Sequence, residues 1–107
     1  MTGRRIYQDP KYHVRYNPFL KSRAQAWYRD EEWLLSFEDY CLLWTWDKWQ
    51  LRGKGSSDLA MVRLDYEKGW SLDNCEIVTR REQLRRNAAH RVEIKRLQHF
   101  VGKQYGT

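Results

Sequence analysis

Residues 59–87, LAMVRLDYEKGWSLDNCEIVTRREQLRRN, constrain the fold more than any other part of the chain. Residues 59–64 are mostly apolar, include the β-branched Val62, and fit a short strand. A polar segment follows at 65–74, with Gly69 as its turn residue. Residues 75–78 form a second β-prone run. Thr79 then opens a helix. Thr79-x-x-Glu82 is a capping-box spacing, in which the hydroxyl accepts from the Glu82 N–H and the carboxylate reaches back to the N–H of Thr79. Two strands and a helix in so short a segment make a compact unit able to present one surface to nucleic acid.

The helix that Thr79 opens is expected over 80–100, roughly 30 Å long. Leu84, Ala88, Val92, Leu97 and Val101 can form a seam along it, packing back on the domain or on a second subunit. Upstream, Asn17-Pro18 carries the signature of a helix start, with Asn17 as N-cap and Pro18 at the first helical position. That helix is expected over 18–29, with Phe19, Leu20, Ala24 and Trp27 inside and Lys21, Arg23 and Arg29 outside. The acidic run 30–32 breaks the pattern. Ser36 caps a second helix, with Asp39 three residues on. Phe37, Tyr40, Cys41, Leu43 and Trp44 give it an apolar stripe, and it is expected to end near 50–52, before Gly53. Residues 53–58, GKGSSD, read as a plain linker; the two glycines around Lys54 match no phosphate-loop spacing.

The expected class is α+β, with two N-terminal helices packed on the strand–strand–helix unit of 59–100. A chain of 107 residues fits a single domain, placed at 17–101. Residues 1–16, with Arg4, Arg5, Lys11 and Arg15 between Tyr7, Tyr12 and Tyr16, read as a basic flexible arm, either frayed or touching a nucleic-acid backbone. Residues 102–107 read as a tail. Six tryptophans and seven tyrosines are expected to build the core where aliphatics are few, with base stacking as the other use.

The net charge is +6, and it is uneven. Residues 80–107 hold eight basic side chains against two acidic ones, so this last quarter accounts for the whole excess. Charge so concentrated implies a polyanionic partner, the other reading being a solvated helix face. Cys41 and Cys75 have no metal-site or disulfide-framework spacing and read as buried free thiols of a reducing compartment. No apolar run reaches membrane-spanning length and the first residues hold no signal-peptide core, so a cytoplasmic protein is expected.

The order of these residues resembles the ββα core of HNH-type endonucleases, particularly the small phage and homing-type ones. The matching positions are Arg63-Leu64-Asp65, then 73–79 (DNCEIVT), then Glu82-Gln83. A subgroup reading Asp-Arg-Ile-Asp is similar also in Gly69-Trp70, Asn74-Cys75 and Arg86-Asn87, with Trp33 and Phe37 upstream. The likeness covers about residues 17–90. It implies an HNH-like ββα fold and a DNA-facing surface, with Lys54, Arg80, Arg81, Arg85 and Arg86 on phosphates. In that family a histidine deprotonates water, while acid and amide side chains hold one divalent metal. Here the base position falls on Arg63, whose pKa above ~12 bars it from that role. The adjoining metal-ligand position falls on Val62, and the helix amide on Gln83. Asp65 and Gln83 are then the residues left to hold Mg²⁺ or Mn²⁺, with Arg63 clamping the phosphate. Asp65 and Asp73 have the alternative role of turn residues, and Arg63 that of a structural arginine paired with Asp65 or Asp73. His90 reads as a surface residue or phosphate contact.

Three functions are open. The leading one is a DNA-binding, phage-type protein on an HNH-like scaffold with cleavage lost or weak. The second is an active metal-dependent nicking endonuclease. The third is a phage module that binds a host or virion protein. A homodimer through the last helix is compatible with each.

Overall fold

The computed structural model describes residues 8–105, with side chains described to Gln98. Arg4, Arg5 and Tyr7 of the expected arm lie outside the described residues, as do Gly106, Thr107 and the side chain of Val101. The protein is an α+β domain of four helices and one two-stranded antiparallel sheet. The order is α1 (Pro10–Tyr28), α2 (Phe37–Leu43), α3 (Trp46–Trp49), β1 (Leu59–Arg63), a 3₁₀ turn (Leu72–Asn74), β2 (Cys75–Thr79) and α4 (Arg80–Tyr105).

Helix α1 starts at Pro10, not at Pro18. Asp9-Pro10 bears the same cap-and-proline signature as Asn17-Pro18, and here the Asp9 carboxylate accepts from the N–H of Lys11 at 2.9 Å. Pro18 sits inside the helix, where it removes one backbone donor. Tertiary contact offsets that loss. Arg15, 4 % exposed, donates to the carbonyl of Lys11 (2.8 Å) and to that of Trp44 (2.6 Å). Residues 10–16 therefore belong to the helix rather than to an arm. The inward side of α1 also differs from expectation. Phe19 and Ala26 are buried, while Ala24 and Trp27 are exposed.

The capping box of α2 forms as its spacing predicts, with Ser36 and Asp39 each bonding the other's N–H. The helix ends at Leu43, because Trp44 turns into the core and its carbonyl goes to Arg15. Four further residues resume as α3. Phe19, Phe37, Tyr40 and Trp44 form the buried centre, with Leu59, Met61 and Ile77 of the sheet packed against it. The Phe19 ring meets those of Phe37 and Tyr40 edge-on at 5.5 and 5.4 Å, an arrangement favoured by the ring quadrupoles. Of the tryptophans and tyrosines expected in the core, Trp44 and Tyr40 are buried and Tyr16, Trp33 and Trp49 pack against them, while Trp27 and Tyr28 are exposed.

Strands β1 and β2 pair from Leu59↔Thr79 to Arg63↔Cys75. Cys75 is buried and Cys41 half-buried, and both are free thiols. Segment 53–58 is a closed loop rather than a loose linker. The Asp58 carboxylate accepts from the Gly55 N–H at 2.8 Å. The carbonyls of Asp58 and Ser56 accept from the N–H groups of Arg80 and Arg81. Among the described residues no helix is long and apolar enough to cross a membrane.

Candidate nucleic-acid interface

The connection between the strands, residues 64–74, is shaped by polar side chains that bond backbone. Asn74, 7 % exposed, accepts from the Asp65 N–H at 2.9 Å and donates to the carbonyls of Asp65 (3.0 Å) and Gly69 (2.8 Å). One buried amide thus ties both halves of the loop. Gly69 is required by crowding: a Cβ there would lie 2.8 Å from the Glu32 carbonyl oxygen. That closeness lets Trp70 bridge to Trp33, with Trp70 N–H to Glu32 O and Leu34 N–H to Trp70 O both at 2.8 Å.

Arg63 completes the loop from the end of β1. Its guanidinium donates to Glu31 (3.0 Å) and to the carbonyls of Tyr66 (3.2 Å) and Lys68 (3.0 Å), and lies 5.2 Å from the Trp70 ring centre. The second Glu31 oxygen accepts from the Trp70 indole at 3.1 Å. The partner of Arg63 is therefore Glu31, neither Asp65 nor Asp73. Glu31 is delivered by the end of α1. The N–H of Glu31 returns to the Ala26 carbonyl, that of Asp30 returns to Trp27, and Asp30 takes φ 58°. This is a Schellman ending with aspartate where glycine is usual. The acidic run that breaks the helical pattern at 30–32 thus supplies the counter-ion for Arg63.

Asp65 and Asp73 act as turn residues. The Asp65 carboxylate accepts from the Glu67 N–H at 2.9 Å, and Asp73 accepts from the Ser71 hydroxyl at 2.6 Å, which lowers the Asp73 pKa. Val62 is buried.

Helix α4 starts on the Thr79 cap, whose hydroxyl accepts from the Glu82 N–H at 3.2 Å. The reciprocal half of the box does not form. The Glu82 carboxylate turns to Arg85 (2.8 Å) and Arg86 (3.6 Å), and the bond from Arg85 holds its pKa low. Gln83, Asn87 and His90 follow at helical spacing and are half-buried. The Tyr66 hydroxyl donates to the Asn87 amide oxygen at 2.9 Å, and the Tyr66 ring meets His90 edge-on at 4.3 Å.

Tyr66 and His90 stand between two open clefts. One is lined by Arg29, Arg63, Gln83, Asn87 and Arg91, the other by Asp65, Arg85, Arg86 and Ala89. The expected trio is thereby split. Gln83 lines the first cleft and Asp65 the second, while Arg63, like Tyr66 and His90, lines both. Among the described residues no three His, Cys, Asp or Glu side chains gather as a metal-holding group. His90 is the residue whose place the sequence reading understated, and its i, i+4, i+7 relation to Gln83 and Asn87 was the available signal.

The five expected phosphate ligands also divide. Arg80 donates to the Gly53 carbonyl (2.6 Å) and to Gln83 (3.3 Å), pinning the 53–58 loop. Arg86 bonds Glu76 at 2.7 Å, tying α4 to β2. Arg85 is held by Glu82. Arg81 at the start of α4 and Lys54 in the 53–58 loop are exposed and make no ion pair among the described residues. Arg29 and Arg91, on the rim of the first cleft, are likewise without an acidic partner there. The chain matches no protein-family model, no curated protein and no solved structure.

Proposed function

We propose that this protein is a nucleic-acid-binding module, with DNA as its ligand, built on an HNH-like ββα scaffold whose cleavage chemistry is lost or much weakened. The observation that carries the binding reading is a group of exposed cations that make no ion pair among the described residues: Lys54, Arg81, Arg29 and Arg91. Exposed guanidiniums with no carboxylate partner are what a phosphate backbone requires. The weak-chemistry half rests on the former base position. Arg63 is engaged by Glu31 and two loop carbonyls, and Val62 beside it is buried hydrocarbon.

Fluorescence anisotropy on a short duplex across a salt series tests the first half. Four phosphate contacts give a log–log salt slope of roughly −3 to −4, so affinity falls about a hundredfold between 50 and 200 mM salt. Arg91→Ala and Arg81→Ala should each reduce the slope by about 1. A change in affinity below about threefold across that range sinks the reading. Supercoiled plasmid incubated with Mg²⁺ or Mn²⁺ tests the second half. Intact plasmid is expected; nicking that disappears in Asp65→Ala would make the protein an endonuclease instead.

A further inference from the structure

A recess lies next to the first cleft, and Arg29, Glu31, Met61, Trp70 and Gln83 line both. It is more enclosed than the clefts along α4, with walls from α1, β1 and the start of α4. Three arginines from distant parts of the chain line it: Arg29 at the end of α1, Arg52 after α3, and Arg80 at the start of α4. None of them has a carboxylate partner among the described residues. The one acid in the wall, Glu31, is already paired with Arg63. Arg52 lies 4.5 Å from the Trp49 ring centre, and Arg80 is held by its bond to the Gly53 carbonyl.

Trp33, Trp44 and Trp70 complete the lining. The ring N–H groups of Trp33 and Trp70 are spent on Leu35 O and Glu31, so what these half-buried indoles add to the wall is ring edge and face rather than a donor. Guanidiniums gathered around one recess can recognise phosphate, and aromatic side chains in its wall can recognise a planar base. A recess more closed than the clefts along α4 suits a chain end better than a backbone running through.

We propose that this recess binds a nucleotide bearing a terminal phosphate monoester, presented either free or as the 5′ end of a strand. The assignment deepens the nucleic-acid reading above by naming which part of the polymer enters the recess. A terminal monoester carries more negative charge than an internal diester, and three unneutralised arginines reward that difference.

The test compares 5′-phosphorylated and 5′-hydroxyl oligonucleotides of one sequence by anisotropy, using labels at the 3′ end. The phosphorylated strand should bind about tenfold more tightly, and the preference should fall below about twofold in Arg52→Ala and in Arg29→Ala, as expected for lost guanidinium–phosphate contacts. Arg52→Lys keeps the cation and should keep part of the preference; matching circular dichroism and melting curves show that the variants are folded. Competition identifies the source: displacement by adenosine monophosphate shows that a free nucleotide suffices, and failure to displace confines the site to a strand end. No 5′-phosphate preference, or one that survives both alanine variants, overturns the proposal. The 5′-hydroxyl strand reports on general nucleic-acid binding, so loss of that binding and loss of the preference are read separately.

Discussion

The two ends of the domain are held together by different physics. Around α1, α2 and α3 the residues are fixed by aromatic bulk: Phe19, Phe37, Tyr40 and Trp44 are buried against one another. Around the β1–β2 connection almost nothing apolar is buried, and the loop is held by Asn74, Arg63 and Glu31 bonding backbone and each other. The first region tolerates imprecise geometry, because dispersion and the hydrophobic effect are non-directional. The second depends on donors and acceptors meeting within a few tenths of an ångström. A surface meant to meet a ligand can be shaped by the second kind of region, since its polar groups lie close to solvent.

The largest test of this contrast is Trp44→Ala, which empties the centre of the aromatic cluster. A loss of about 3–5 kcal/mol is expected in urea denaturation, a large share of the stability of a domain this size. A loss below about 1 kcal/mol would mean that the aromatic half is not the stabilising half. Asn74→Ala comes next, at about 2–3 kcal/mol, because it orphans the Asp65 N–H and the Gly69 carbonyl and leaves the Asp65 carbonyl only its bond from the Lys68 N–H, while removing little volume. Asn74→Asp sharpens the comparison. A carboxylate can still accept from Asp65 N–H but cannot donate to the carbonyls of Asp65 and Gly69, so little of the loss should be recovered at neutral pH. Recovery to wild-type stability would show that the two donated bonds contribute nothing.

The smallest effect is a pH dependence at the border of the two regions. Burial pushes the Cys75 thiol up to about 11. In the unfolded chain it ionises near ~8.5, so between those values the folded state binds the extra proton. Its contribution is complete below the unfolded value and is lost as the pH rises towards the folded one. Denaturation midpoints should therefore fall more steeply across that alkaline window in the wild type than in Cys75→Ala. Burial raises Tyr40 in the same direction, but that part is common to both proteins. Equal slopes would show that the thiol is not shielded as its buried place implies.

The strand–turn–strand–helix order was legible because each piece has a local cause. Residues 59–63 and 75–79 are β-prone, Gly69 punctuates the turn, and Thr79 caps the helix. The capping box at Ser36 was legible for the same reason. The start of α1 was ambiguous, since Asp9-Pro10 and Asn17-Pro18 have equal local claims. Arg15 decided it by reaching the Trp44 carbonyl, a contact 29 residues away. At the site, a basic helix was readable from composition. Which of its arginines keep an unneutralised charge was not, because Arg86 pairs with Glu76 while Arg80 bonds only the neutral Gly53 carbonyl and Gln83, partners set by folding.

By itself, the sequence determined the class of the domain, the ββα order, the aromatic core and the charge of the last helix, all of which follow from side-chain type and short-range spacing. Only the tertiary structure decided that Arg63 answers to Glu31, that Asp65 and Gln83 face different clefts, and that Arg29, Arg52 and Arg80 surround one recess. Those relations join residues tens of positions apart, and local propensity carries no information about which distant side chains the packed core will bring within hydrogen-bonding reach.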